Sequence, residues 1–511
     1  MKKNRTSAIL LILTLLFLFS SCTSVVPETH AGTLEKDHSS PPTVGLLNPD
    51  AEVRGVWIAT VGNINYPSKK GLGASALASE LDAVVETCVR IGLNTIFFQV
   101  RPAADALYRS ELFPQSEFVS GTQGRAPDGN FDSLEYLINA AHEYKINVHA
   151  WVNPLRVTYG SAKYPKTDVS ALADGHIARK HPDWTVAYAD GKLYFDAGNP
   201  DVREYIAKGT AEIVSNYAVD GVVFDDYFYP YPVKTDDGVY AEFDDTSSYE
   251  KYGAGSDKGD WRRENINLLV ESCHKAVKEI NSECAFGIAP FGIWQNDDGA
   301  NGGSATRGLE AYSTLYCDAT AWVKGGYVDY IAPQLYWRFD TAVAPYGELV
   351  DWWNGILDGT GVKLLVCHAA YMYEDGWENP GGEIAKQIEY ARDALCYRGS
   401  LLYGYKVLES DAENIDDEIK KAFEHEIIYS DTVSNFRNLT VSFPSETVSS
   451  AITVTGKSDP TKPLYFGRER VNRTKNGDFE FTVALSDGEN VLSFTYDGRE
   501  YIYKVTKNSN G

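Results

Sequence analysis

Val219-Asp220-Gly221-Val222-Val223-Phe224-Asp225-Asp226-Tyr227 is the stretch that decides how this chain is read. An apolar run halted by two acids is what a strand covered on both faces looks like, as in a parallel sheet wrapped by helices. Carboxylates at the C-terminal end of such a strand stand where barrel enzymes place their chemistry. The aromatics at and after the acids, Tyr227, Phe228, Tyr229 and Tyr231, would supply the walls that a sugar cleft needs.

Outward from this stretch, strand-like and helix-like segments alternate from about residue 53 to about residue 425. The strands begin near Arg54 (RGVWIAT), Asn94 (NTIFFQVRP), Asn147 (NVHAWVNP), Asp220, Ala285 (AFGIAPFG), Asp329 (DYIAPQLYW), Lys363 (KLLVCHAAY) and Leu401 (LLYGYKVLES). Between them lie amphipathic stretches. Ser75–Gly92 carries Leu77, Leu81, Val84, Val85, Cys88 and Val89 on one face, and Phe131–Lys145, Asp201–Ala218, Trp261–Ile280, Tyr346–Leu357 and Glu383–Ala394 read alike. Eight such units predict a (β/α)8 TIM barrel, an α/β fold. Three connections that leave strand C-termini, Arg101–Asn130, Pro154–Pro200 and Tyr227–Asp260, exceed the usual few residues and should wall a cleft. The acidic, Gly-rich part of the last, Asp236–Asp260, reads as a mobile rim. After about residue 430 short alternating segments between turn residues predict a small all-β immunoglobulin-like sandwich.

The N-terminus reads as a secretory signal. Lys2, Lys3 and Arg5 precede an apolar run from Ala8 to Phe19, too short to span a membrane, for which about 20 residues are needed. Leu18-Phe19-Ser20-Ser21-Cys22 resembles a bacterial lipobox, which would make Cys22 a lipid attachment site and place the protein outside the cytoplasm, held to a membrane. The expected organisation is therefore a signal over residues 1–21, a Ser/Thr/Pro-rich tether over 22–50, the barrel over 51–428 and the sandwich over 429–511. A formal net charge of −24 argues against nucleic acid as a partner. Aromatic content of 13% fits carbohydrate contact and equally fits core packing. The remaining cysteines, Cys88, Cys273, Cys284, Cys317, Cys367 and Cys396, form no CxxC pair and read as buried thiols. No phosphate-loop, dinucleotide, HExxH or strong GxSxG signature occurs, so no cofactor or metal is expected. The acidic pairs Asp236-Asp237 and Asp297-Asp298 read as solvated loops.

Strand alternation sorts the candidate residues. On the second strand Gln99 and Arg101 share a phase opposite to Ile96, Phe98 and Val100, and are expected inside. On the third, His149, Trp151 and Asn153 are in phase; on the sixth, Gln334 and Tyr336. On the fourth, placing Val222 and Phe224 against the helices puts Asp225 inside and turns Asp226 towards neighbouring loops. An inward carboxylate among Arg, Asn and Gln suits a glycosidase nucleophile or base, with a second carboxyl as acid. Asp225 alternatively reads as an ion-pair partner of Arg101. Arg101 is expected to orient and charge-balance the site. Asn153 reads as a sugar contact or a structural amide, and Trp151 and Trp337 as sugar platforms or core. Tyr227 completes the substrate wall, and His149 is expected to be a hydrogen-bonded core residue. No Glu ends the fifth strand, so the acid is sought among Asp105, Asp226, Asp340 and Glu409, with Asp105 and Asp226 first. Asp196 reads as a turn or helix-cap residue.

The strings RGVWIAT, NTIFFQVRPAADALYRSELFPQSEFVSGTQG, NVHAWVNPLRV, FDAGNPDVREYI, DGVVFDDYFYP and APQLYW, in this order between about Arg54 and Leu408, resemble the glycosyl-hydrolase-like 10 family. The resemblance implies a glycosidase barrel of exported or lipid-anchored bacterial proteins, one characterised member of which cleaves peptide-stripped peptidoglycan strands. DGVVFD is also similar to the fourth-strand motif of alpha-amylase-type barrels, whose nucleophile falls on Asp225. Those barrels carry Arg where this chain has Val223, and a fifth-strand Glu that it lacks. The resulting expectation is an exported glycoside hydrolase acting on a polysaccharide, peptidoglycan strands first and an environmental polysaccharide second. The rivals are a surface glycan-binding protein without catalysis, which the missing fifth-strand acid favours, and another hydrolase such as a deacylase.

Overall fold

Eight of the apolar runs pair as parallel strands and close on themselves into a barrel in the computed structural model of the chain. The structure describes residues 51–511 apart from 374–375, 378–379, 412–414, 425–438, 459–462, 475–476, 497–498 and 509–511. The expected signal, the tether, Cys22 and the boundary at 428 therefore lie outside the described residues. The strands are β1 (Val53–Ile58), β2 (Thr95–Arg101), β3 (Asn147–Val152), β4 (Gly221–Phe224), β5 (Ala285–Ile288), β6 (Tyr330–Ile331), β7 (Lys363–Ala369) and β8 (Tyr397–Tyr403). Each is followed by a helix: α1 (Ala74–Ile91), α2 (Ser133–Glu143), α3 (Pro200–Asn216), α4 (Lys258–Ile280), α5 (Ala319–Gly325), α6 (Tyr346–Leu357), α7 (Pro380–Arg392) and α8 (Ile415–Ala422). This is a (β/α)8 barrel.

Local chemistry sets the elements. In α1 Leu77, Leu81, Val84, Val85, Cys88 and Ile91 recur at helical spacing and are buried, and the helix stops at Gly92, which takes the left-handed conformation at φ 77°. Val89, expected on the same face, is exposed. The Asn199 side chain accepts from the Asp201 N–H at 3.0 Å, and Pro200 opens α3. Asp196 holds the preceding turn, accepting from Gly198 N at 2.9 Å, so the turn reading holds and the cap belongs to Asn199.

Two apolar layers flank the strands. Ile96, Phe98, Val148, Ala150, Val222 and Phe224 pack towards the helices. Trp57, Phe97, Trp151, Val223, Tyr330, Leu365 and Leu401 fill the barrel interior. Large rings fit there because neighbouring strands place glycine opposite them. A Cβ on Gly221 would lie 2.5 Å from the His149 ring, and one on Gly287 would lie 2.2 Å from the Tyr330 ring. His149 itself is a core histidine: Nδ1 is 2.9 Å from the Tyr330 hydroxyl, and burial pulls its pKa down to about 4. The six described cysteines are free thiols, five of them buried.

The three long connections rise from the C-terminal ends of β2, β3 and β4. The β3–α3 connection carries a small hairpin, Thr185–Ala187 with Leu193–Phe195. In the β4–α4 connection, the expected mobile rim is tied to α4 at Asp245. Arg262 donates from Nε and Nη2 to the two Asp245 oxygens at 2.7 and 2.6 Å, a buried fork. Beyond residue 438 a three-stranded and a five-stranded sheet share one apolar core containing Ile452, Val454, Phe479, Leu492, Phe494 and Val505, a small β-sandwich.

Gly287→Ala should destabilise the barrel by about 1–3 kcal/mol through overpacking against Tyr330, read from the urea midpoint of the purified chain; an unchanged midpoint would mean the interior has room.

Candidate active site

Asp225 and Asp226 follow the last residue of β4, and both line one cavity at the C-terminal mouth of the barrel. The cavity is about 410 Å3, and its other lining residues are Trp57, Trp151, Tyr227, Tyr231, Ala289, Phe291, Gln334, Tyr336, Trp337, Tyr371 and Tyr403. Strand alternation turns Asp226 away from this cavity. The structure does not, because regular pairing ends at Phe224 and strict alternation ends with it.

The two acids are held by different partners. Asp225 Oδ2 accepts from Trp151 Nε1 at 3.0 Å, and Asn153 Nδ2 donates to both carboxylate oxygens at 3.0 and 3.2 Å. The Tyr227 N–H adds a longer contact of 3.4 Å to Oδ1. Asp226 Oδ1 accepts from Gln334 Nε2 at 3.0 Å, and Tyr231 donates its hydroxyl hydrogen to Oδ2. Gln334 is itself fixed by a second bond, Nε2 to the Ala289 carbonyl at 3.0 Å. Trp151 is braced edge-on against Trp57 at 5.0 Å. Tyr336 stacks with Tyr403 at 6.0 Å, and Trp337 stands edge-on to Phe291 at 5.6 Å, so the far wall is aromatic.

Arg156 supplies the positive charge of the site. Its guanidinium lies 4.6 Å from the Tyr227 ring centre, Nη1 donates to the Pro102 carbonyl at 3.1 Å, and its backbone N–H donates to Asn153 Oδ1 at 2.8 Å. Burial pushes the Asp225 carboxyl up from an ordinary 3.8 to about 7, with Arg156 opposing the rise, the Asp226 charge adding to it, and Trp151 and Asn153 opposing it again. Asp226 is raised by burial as well, against the pull of Tyr231, Gln334 and Arg156. Two such neighbours titrate as a pair and near neutrality retain a proton between them. Their partners decide where it sits. Every hydrogen-bond partner of Asp225 is an N–H, which can only donate, whereas the Tyr231 hydroxyl beside Asp226 can also accept. Burial alone favours the proton on Asp225, the more strongly raised of the two, but a proton there would meet donors only, so the hydrogen bonds favour the charge on Asp225 and the shared proton on Asp226.

Several expected site residues stand elsewhere. Gln99 is a scaffold residue: its Oε1 accepts from Thr60 and Val61 N–H, each at 2.9 Å, and it does not line the cavity. Arg101 points to the helix side rather than inward. The register passes from Gln99↔Trp151 to Arg101↔Val152, so Val100 is an extra residue and the bulge reverses the phase of Arg101. Its guanidinium lies 4.1 Å from the Phe113 ring centre, and a Cβ on Gly209 of α3 would sit 2.4 Å from Nη1. Asp225 therefore takes Arg156 rather than Arg101 as its nearby cation. Asp105 lines a different cavity, between the β2–α2 and β3–α3 connections. Asp340 is exposed and paired with Arg338 at 3.0 Å. Asn153, read as sugar contact or structural amide, has both ends of its amide engaged by Asp225 and Arg156. Trp57, Arg156, Tyr371 and Tyr403 join the site without having been singled out by sequence. Trp57 was legible as the one aromatic of β1; Arg156 lies in a loop, where alternation says nothing.

A model of the family described as glycosyl hydrolase-like 10 matches residues 52–379. Glycosyl hydrolase YngK of Bacillus subtilis is 38% identical over 387 residues, which cover 74% of this chain and 73% of that protein. Glycosyl hydrolase DigH of Escherichia coli K12 is 33% identical over 418 residues, 78% of this chain and 92% of that protein. Among solved structures, the catalytic domain of the beta-amylase from Paenibacillus polymyxa is similar at 11% identity and a TM-score of 0.45, over 73% of this chain and 98% of that one.

The buried pair has two measurable consequences. A buried pair that shares one proton up to about pH 7 keeps it in the folded state after the unfolded chain has lost it, so stability should fall as pH rises from about 4 to about 7 and level off above. Between pH 4 and pH 8 the stability difference between Asp225→Asn and wild type should move in the variant's favour by about 1–4 kcal/mol, measured by urea unfolding at each pH; a constant difference would contradict the buried-acid assignment. Arg156→Gln removes the opposing charge. The acid limb of the rate–pH profile should then move up by about 1 unit or more, and an unmoved limb would disconnect Arg156 from the pair.

Proposed function

Because the chain belongs to the glycosyl hydrolase-like 10 family, we propose that it hydrolyses O-glycosidic bonds in a bacterial cell-envelope glycan, peptidoglycan strands first, from an exported, lipid-anchored position. The observation that carries the chemical part is the pair of buried carboxyls side by side in one aromatic-walled cavity. Asp226, holding the proton beside Tyr231, gives it to the departing glycosidic oxygen as the C1–O bond breaks. Asp225, charged and fixed by Trp151 and Asn153, attacks C1 or takes a proton from the water that does so; water then supplies the new oxygen on C1. Arg156 keeps one negative charge on the pair without bonding to either acid. Trp337, Tyr336 and Tyr227 offer flat apolar faces to sugar rings, which carry apolar C–H faces and polar rims. The envelope substrate is supported by the family resemblance and by the lipobox-like Leu18–Cys22, which would bring the barrel to the surface where such glycans lie.

The experiment is mass spectrometry of products after incubating the chain from about residue 40 with intact and peptide-stripped peptidoglycan, beside Asp225→Asn and Asp226→Asn. Wild type should release shortened sugar oligomers and Asp225→Asn none. Asp226→Asn should lose about 10²–10⁴-fold on the natural glycan, the range of acid–base catalysis. It should recover most of that on aryl glycosides, whose leaving groups need no proton, while Asp225→Asn stays inactive on both. Equal losses for the two variants on aryl glycosides would contradict the division of roles. Acetate release without chain shortening would point to a deacylase, and binding without cleavage across a broad glycan panel to a surface binding protein.

A further inference from the structure

Tyr231, whose hydroxyl is bonded to Asp226, sits on a strap that runs Tyr229-Pro230-Tyr231-Pro232. The prolines on either side of it have a fixed φ and no N–H to donate. Backbone bonds cannot pin the strap at those two positions, so it must be held at its ends. Neither end lines the cavity that holds the acids.

The first end is Tyr229. Its ring is 1% exposed and stands edge-on to Phe243 at 5.2 Å and to Tyr316 at 5.1 Å. Arg262 of α4 frames this box. Its guanidinium lies 5.4 Å from the Tyr229 ring centre and 4.8 Å from that of Tyr316. Besides the fork to Asp245, Nη2 donates to the Phe243 carbonyl at 2.8 Å and Nη1 to the Tyr316 hydroxyl at 2.9 Å. One planar group with several donors thus fixes both residues that hold Tyr229. Tyr316 takes the left-handed conformation at φ 53°, uncommon for a bulky residue and kept only where surrounding contacts enforce it. The second end is Val233. Its N–H donates to the Tyr188 hydroxyl at 3.4 Å, and that hydroxyl donates to the Ala241 carbonyl at 3.1 Å. The Ala241 N–H returns to the Val233 carbonyl at 2.9 Å. Tyr188 comes from the β3–α3 connection, so a second connection clips the strap from outside.

We infer that Arg262 and Tyr188 are positioning residues for the reaction, holding the Tyr231 hydroxyl on Asp226 from opposite ends of the strap. Neither lines the cavity, so both act through Tyr231. The inference rests on the reading of Asp226 as the acid. A group that merely braced the loop would add to stability and leave the carboxyl unaltered. A slackened strap withdraws a hydrogen-bond partner of Asp226 and changes how that acid titrates. The other titratable groups that act on Asp226 or feel its charge, Asp225, Arg156, Tyr227, Tyr403 and Cys317, are left in place by the variants below.

The test compares Arg262→Lys, Tyr188→Phe and Tyr231→Phe with the two doubles that add Tyr231→Phe. Arg262→Lys keeps a charge for Asp245 and loses the framing bonds. Tyr188→Phe removes one hydroxyl and no charge, and serves where urea unfolding shows that Arg262→Lys does not fold. On peptide-stripped peptidoglycan each single variant should lose about tenfold or more in kcat with KM unchanged. Its rate–pH profile should shift the same way as that of Tyr231→Phe, and in the Tyr231→Phe chain neither change should cost anything further. Independently of turnover, the carbon-13 resonance of the Asp226 carboxyl should move in both variants as it does in Tyr231→Phe. Losses that add to that of Tyr231→Phe, or a carboxyl resonance that stays in place in a folded variant, would overturn the inference. A resonance that moves while Asp226→Asn keeps full activity would sink the acid reading and leave the clamp.

Discussion

The cost of burying two adjacent carboxyls at the end of β4 is the constraint around which the mouth of this barrel is arranged. Asp225 and Asp226 are 3% and 2% exposed, and an acid taken from water either finds donors or keeps its proton. Three strands answer that demand. β3 delivers the Trp151 N–H, and Asn153 follows from its end. The chain after β6 delivers Gln334, and the chain after β4 itself turns back to bring Tyr231. Arg156 adds charge without contact. Moving any of these strands by one residue would leave an acid facing apolar wall, so barrel register and site chemistry specify each other.

The donors are in turn held by groups outside the pair's own hydrogen bonds. Gln334 is anchored to the Ala289 carbonyl, Trp151 to the Trp57 ring, and the Asn153 amide to the Arg156 backbone. Gln99 does the same for the end of β1 through Thr60 and Val61. Such support keeps side chains within the small tolerance that acid–base work requires. It also gives two chemically identical acids different surroundings. N–H groups alone favour a charged Asp225, and a hydroxyl that can accept favours a protonated Asp226.

Much of this was legible in the sequence, for identifiable reasons. Buried parallel strands read as apolar runs, so all eight strands and most of the helices between them were visible, and Val222 and Phe224 were correctly set against the helices. Alternation also placed Trp151 and Gln334 near the acids. It failed where the backbone departs from a regular strand. The bulge at Val100 sent Arg101 beneath α3, and the end of pairing at Phe224 let Asp226 join Asp225. Loop residues carry no phase, so Arg156 was invisible, and Asp105, near the strand in sequence, proved to belong to a neighbouring cavity. Gln99 was misjudged in role, since polarity alone does not tell a substrate contact from an anchor.

The central claim is that one acid of the pair holds the charge and the other the proton. The most direct measurement is the carbon-13 chemical shift of the Asp225 and Asp226 side-chain carboxyls in aspartate-labelled protein, followed across pH and assigned with the single Asn variants. The account predicts a pH interval in which Asp225 shows the ionised shift while Asp226 still shows the protonated one. The reverse order, or two carboxyls titrating together near an ordinary aspartate value of about 4, would contradict it.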